Sequence, residues 1–158
     1  MSELYQLPDG WEWKTLDEIK ISNAIGLVRS QAEQSLEHPY KYVKMNNITN
    51  DNRFTLDNIT NVRASDEEIK KYSLLKGDLL FNTRNSNELV GKSCIYDLNE
   101  LVLYNNNIMR IRFKSNVNSY FVGYQFSSNL IQGQLNDIKS GTTNVSAIYY
   151  KELKYYYL

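Results

Sequence analysis

The chain has 158 residues, enough for one domain that buries about 70% of its unfolded surface without covalent staples. Its 18 Lys+Arg balance 18 Asp+Glu, which argues against a non-specific nucleic-acid coat held on by net charge. One cysteine excludes a disulfide framework and a multi-cysteine zinc site, and no N-terminal apolar run suits a signal peptide or membrane span, so a cytoplasmic location is expected.

The charge is unevenly spread. Residues 1–100 hold 12 Lys+Arg against 16 Asp+Glu, whereas residues 101–158 hold 6 against 2. A domain polarised in this way can still present one basic face, and a reader of base edges needs fewer phosphate contacts than a coat protein. Asn is abundant and Tyr numbers 13. An AT-rich gene produces both residues, and both also suit a groove-facing surface; composition does not separate the two.

In chain order, Thr15-x-x-Glu18 is a capping box and predicts a short helix at 16–20. His38, the one histidine, precedes Pro39 and reads as a solvated turn residue. A strand run at 41–45 passes into a loop at Lys44-Met45-Asn46-Asn47. Two readings stand for these asparagines: left-handed turn chemistry, or contact with DNA. Ser65-x-x-Glu68 predicts a second capped helix at 66–72.

The strand at 78–82 runs into the densest polar segment of the chain, Thr83-Arg84-Asn85-Ser86-Asn87, which leaves through Gly91-Lys92. A simple turn needs two or three polar residues, and five in a row favour recognition. Arg can read guanine O6/N7 and Asn adenine N6/N7, both bidentately in the major groove.

Further strands are predicted at 92–96, 101–104 and 107–114, with Cys94 as a small buried hydrophobe. In the last run Met109, Ile111 and Phe113 share one face and Arg110 and Arg112 the other. That second face is either solvated or a phosphate clamp. The longest helix should start near Asn118, carry Tyr120, Phe121, Tyr124, Ile131, Leu135 and Ile138 at helical spacing, and weaken at Gly133. Gly141-Thr142-Thr143-Asn144 offers small donors beside a glycine that lets backbone approach a phosphate. Ser146 is expected to cap a last short helix through Leu153, followed by a terminal strand. Strands and helices do not alternate regularly, so the fold class is α+β: a single domain, 1–158, with a curved, mostly antiparallel sheet and flanking helices.

No Ser-His-Asp or Cys-His constellation is present. Asp137 with Glu152-Leu153-Lys154 has the look of a metal-dependent nuclease's Asp…Glu-x-Lys pattern, which arises often by chance. No Gly-rich phosphate loop exists, so neither a nucleotide nor S-adenosylmethionine is expected, and no cofactor or metal is assigned.

Five segments then stand in one order: Leu7-Pro8-Asp9-Gly10-Trp11 with Leu16 and Glu18-Ile19; Tyr42-Val43-Lys44-Met45-Asn46-Asn47-Ile48; the 75–92 stretch; Asn105-Asn106-Asn107-Ile108-Met109-Arg110-Ile111; and Ser140-Gly141-Thr142-Thr143-Asn144-Val145-Ser146. Together they resemble the target recognition domains of type I restriction-modification specificity (S) subunits. The resemblance implies a DNA methylase specificity-domain fold with Trp11 and Trp13 in its core. It also implies sequence-specific binding of double-stranded DNA at one half of a bipartite target, without catalysis. A separate methyltransferase (modification) subunit would be directed to an adenine, with the restriction subunit joining the same complex. The DNA-contacting residues expected are Lys44, Asn46, Asn47, Thr83, Arg84, Asn85, Asn87, Lys92, Arg110, Arg112, Thr142, Thr143 and Asn144. In the family a spacer helix and a second recognition domain follow; this chain stops where that helix should begin, so it reads as a half and is expected to be monomeric. The alternatives are a protein-interaction module docking on the methyltransferase subunit without DNA specificity of its own and, more remotely, a metal-dependent nuclease.

Overall fold

Thr15 Oγ1 accepts the Glu18 N–H while the Glu18 carboxylate accepts the Thr15 N–H at 2.7 Å, and this reciprocal cap starts α1 (Leu16–Ile19). The computed structural model describes residues 6–141 and 146–154. After α1 come β1 (Lys20–Ile25), β2 (Tyr40–Val43), β3 (Thr60–Val62), α2 (Asp66–Tyr72), β4 (Leu79–Asn82), β5 (Arg84–Asn85) and β6 (Ser93–Ile95). The chain continues through β7 (Val102–Tyr104), β8 (Ile108–Phe113), α3 (Ser119–Ser127), α4 (Asn129–Ile138), β9 (Ser140–Gly141), β10 (Ser146–Ala147) and α5 (Tyr150–Leu153).

The strands form a four-stranded antiparallel sheet, β1-β8-β4-β6, a three-stranded sheet, β3-β2-β7, and a small one, β5-β10-β9. Only the β2–β7 pair is parallel among the described strands. The fold is thus α+β with mostly antiparallel pairing, as expected, but the strands divide among three sheets.

Both faces of the four-stranded sheet are covered. Leu79, Phe81, Met109 and Ile111 pack under the helices against Val122, Phe126, Leu135 and Leu153. On the opposite face Leu80, Cys94 and Ile108 pack against Val43, Val102 and Tyr104 of the second sheet. A strand buried on two faces cannot keep a solvated arginine row, and here the sequence expectation is corrected. Arg110 is only 6% exposed; its Nη1 donates to Ser22 Oγ at 2.9 Å and its Nε to Tyr104 Oη at 3.4 Å. Arg112 Nε and Nη2 donate to the two carboxylate oxygens of buried Asp78 at 2.9 and 2.8 Å.

Three further expectations change. The long helix breaks at Ser128, not at Gly133. Ser128 takes extended backbone and its Oγ accepts the Ile131 N–H, because a serine caps a new helix better than it continues an old one. Ser146 lies in β10, and α5 begins at Tyr150. Trp11 is 59% exposed and meets Phe121 edge-on, ring centroids 5.8 Å apart, so it is not core. Cys94 is buried as expected, and burial pushes its thiol up to about 12. The terminal strand expected after Lys154 lies outside the described residues.

Candidate nucleic-acid interface

Gly91, at φ +90°, turns the polar segment after β4 back toward β6. Asn82 and the segment's end are zipped together: the Asn82 N–H donates to Lys92 O and the Gly91 N–H to Asn82 O, both at 2.8 Å. The positive φ favours glycine there, and a Cβ would lie 3.2 Å from the Ile148 side chain and 3.4 Å from that of Leu135. The tip is ordered by the Leu89 and Val90 N–H groups donating to Ser86 O. One flank pairs with β10, Asn85 opposite Ser146 and Arg84 opposite Ala147.

A second polar turn, 105–107, stands beside this segment. The Thr83 N–H and Oγ1 both donate to Asn107 O, at 2.9 and 3.1 Å. The two turns therefore form one cross-linked ridge, and their side chains divide between its two sides. Asn82, Asn85 and Asn105 line a cleft of about 580 Å³ with Lys44, Asn46 and Lys92. Thr83, Arg84, Asn106 and Asn107 line a second cleft, of about 570 Å³, with Tyr149.

In the first cleft the cations are held by neutral partners. Lys44 Nζ donates to Gln34 Oε1 at 2.9 Å, and Lys92 Nζ donates to Asn50 Oδ1. Asn46 is exposed. At the floor, Asn82 is 2% exposed and its Nδ2 donates to Leu89 O, while its Oδ1 has no hydrogen-bond partner. In the second cleft the Arg84 side chain is exposed and makes no hydrogen bond or ion pair among the described residues. Tyr149 is half exposed, with Lys151 Nζ 5.8 Å from its ring centroid.

Of the residues expected from sequence, Lys44, Asn46, Asn85 and Lys92 meet at the first cleft, and Thr83 and Arg84 at the second. Asn87 lies alongside: its Nδ2 donates to Ser146 Oγ at 3.2 Å and its carbonyl accepts from Lys139 Nζ at 2.7 Å. Asn47 has the turn role. It is fully buried, its Oδ1 accepts the Lys44 N–H, and its Nδ2 donates to Thr55 O and Asp57 O. Arg110 is buried in the packed layer described above, and Arg112, about a third exposed, is held by Asp78. Thr142, Thr143 and Asn144 lie outside the described residues. Asn105, Asn106, Asn107 and Tyr149 were not singled out as contacts. The run of three asparagines was a signal for the first three; nothing in the sequence marks Tyr149. Among the described residues no three His, Cys, Asp or Glu side chains converge as a metal ion requires, and no helix is long and apolar enough to cross a membrane.

The fold is that of type I restriction-modification specificity subunits. Over 98% of its length the chain superimposes, with a TM-score of 0.70 and 18% identity, on 35% of a chain from a structure described as the basis of complex assembly and conformational transition of the type I R-M system. The HsdS subunit from Thermoanaerobacter tengcongensis matches with a TM-score of 0.67 and 16% identity, over 97% of this chain and 33% of that one. In sequence the chain is 26% identical over 157 residues to a protein of Methanocaldococcus jannaschii described, provisionally, as the specificity subunit of type I restriction enzyme MjaX; that match spans 98% of this chain and 36% of the relative. The resemblance first read in the five segments is thus met again by whole-chain similarity, and the chain spans about a third of the length of the relatives it matches. No family model matches the sequence.

Proposed function

We propose that this chain is a target recognition domain that binds double-stranded DNA sequence-specifically, reading one half of a bipartite site. The observation that carries the reading is the cross-linked ridge, which gathers side-chain amides and cations into two clefts on a support buried from both sides. Fixed donors and acceptors on a stiff support are what base edges demand. Similarity to specificity subunits supports the same reading. The chain has no chemistry of its own in this view. It works in the cytoplasm, placing a separate methyltransferase subunit on DNA, with a restriction subunit joining the same complex.

Titration of the chain with duplex DNA at several salt concentrations, alongside selection from a random duplex pool, tests the proposal. Enrichment of one short sequence is the expected result. Binding without any enrichment overturns it, and retention of a methyltransferase subunit in that case would favour a pure interaction module.

A further inference from the structure

From the division of side chains across the ridge we infer that the two clefts are independent base readers of different preference, and that the second one takes a guanine through Arg84. The inference rests on the DNA-reading proposal and goes beyond it by assigning chemistry to each side.

The second cleft is built for an acceptor-rich base edge. Arg84 lines it with a guanidinium uncommitted among the described residues, and its backbone is fixed by pairing with Ala147 of β10. A guanidinium only donates, and guanine shows two adjacent acceptors, O6 and N7, in the major groove. Asn106, exposed, and the half-exposed ring of Tyr149 line the same cleft. The arginines of β8 are spent on Asp78, Ser22 and Tyr104, whereas Arg84, exposed in the second cleft, has no partner among the described residues.

The first cleft has different chemistry. Its exposed amide is Asn46; Asn85 lines the same cleft with its Oδ1 already accepting the Ser86 N–H at 2.8 Å. An amide both donates and accepts, which matches adenine N6 and N7. Lys44 and Lys92 sit beside these amides, each already shared with a neutral partner, and suit phosphates flanking the base. The two clefts share no lining residue, Asn46 belonging to the first and Thr83, Arg84 and Asn107 to the second, so Asn46 and Arg84 should engage different base pairs.

Selection from a random duplex pool with the wild-type chain, Arg84→Ala, Asn46→Ala and the double variant tests this. Both side chains are exposed, and a thermal melt confirms that each variant folds. Arg84→Ala should relax a guanine by roughly ten- to hundredfold, Asn46→Ala should relax an adenine at another position, and the double variant should multiply the two effects. Loss at the same base pair in both single variants overturns the inference, as does an even loss over all sequences or relaxation of a base other than guanine by Arg84→Ala. A wild-type chain that enriches no sequence overturns the DNA-reading proposal, and the two-cleft inference with it.

Discussion

Arg84, Arg110 and Arg112 bear the same guanidinium, and their surroundings give them different work. Arg84 stands on the ridge in solvent, Arg110 is buried on Ser22 and Tyr104, and Arg112 holds both oxygens of Asp78. Asp78 also accepts the Leu75 N–H at 2.8 Å, so its carboxylate ties the start of β4 to β8. Removing Arg112 leaves that buried charge unpaired. Arg112→Ala should therefore cost about 3 kcal/mol of stability, read from urea denaturation. A loss below about 0.5 kcal/mol, the scale of an ordinary surface change, would show the pair to be dispensable.

At the scale of elements, the close approach of β1 to the β7–β8 turn decides where the second cleft lies. The Gly26 N–H donates to Ile108 O and the Leu27 N–H to Tyr104 O. A Cβ at Gly26 would lie 2.2 Å from Asn105 O and 2.3 Å from Tyr104 O. Both obstacles are backbone, so neither can swing away, and Gly26→Ala should destabilise by about 3 kcal/mol or more. A thermal melt within a few degrees of wild type would contradict that contact.

The helix caps make a prediction about acid. The Glu18, Glu33 and Glu68 carboxylates are each held below their ordinary value, first by the backbone N–H of Thr15, Ser30 and Ser65 respectively, and Arg29 adds to the effect at Glu68. A carboxylate depressed by folding binds its proton less readily in the native than in the unfolded state. Its contribution is complete above about pH 4.5 and is lost as the pH falls through the lower, folded value. The urea midpoint should therefore drop on acidification below that point, and Glu68→Gln should flatten the drop. An unchanged acid profile in that variant would remove Glu68 from the account.

For the whole molecule the quantity that bears on the proposed DNA binding is how little net charge the chain carries. The chain is neutral overall, and the two clefts are lined by three cations, Lys44, Arg84 and Lys92. Arg84 is assigned to a base edge, so the two lysines are the phosphate contacts, and at about 0.9 each they predict a slope of log affinity against log salt of about −2. Such a protein should discriminate well and hold on weakly. A slope steeper than about −6 would require a basic surface elsewhere on the molecule.

What the sequence determined by itself is local chemistry. Capping boxes, the strand runs from 78 to 113 and the polar segment at 83–87 could all be read, because each depends on residues close together in the chain. The concentration of the candidate site around Arg84 was legible for the same reason. What only the tertiary structure decided is which side of each element meets solvent. The alternation of β8 correctly separated Met109 and Ile111 from Arg110 and Arg112, yet nothing local says that a second sheet lies over the arginine face. Asn46 and Asn47 are neighbours in one loop, and burial alone sent the first to the cleft and the second to support the backbone. Tyr149 and β1 could not be placed from sequence, because their roles come from partners far along the chain, Arg84 and Asn107 for one and β8 for the other.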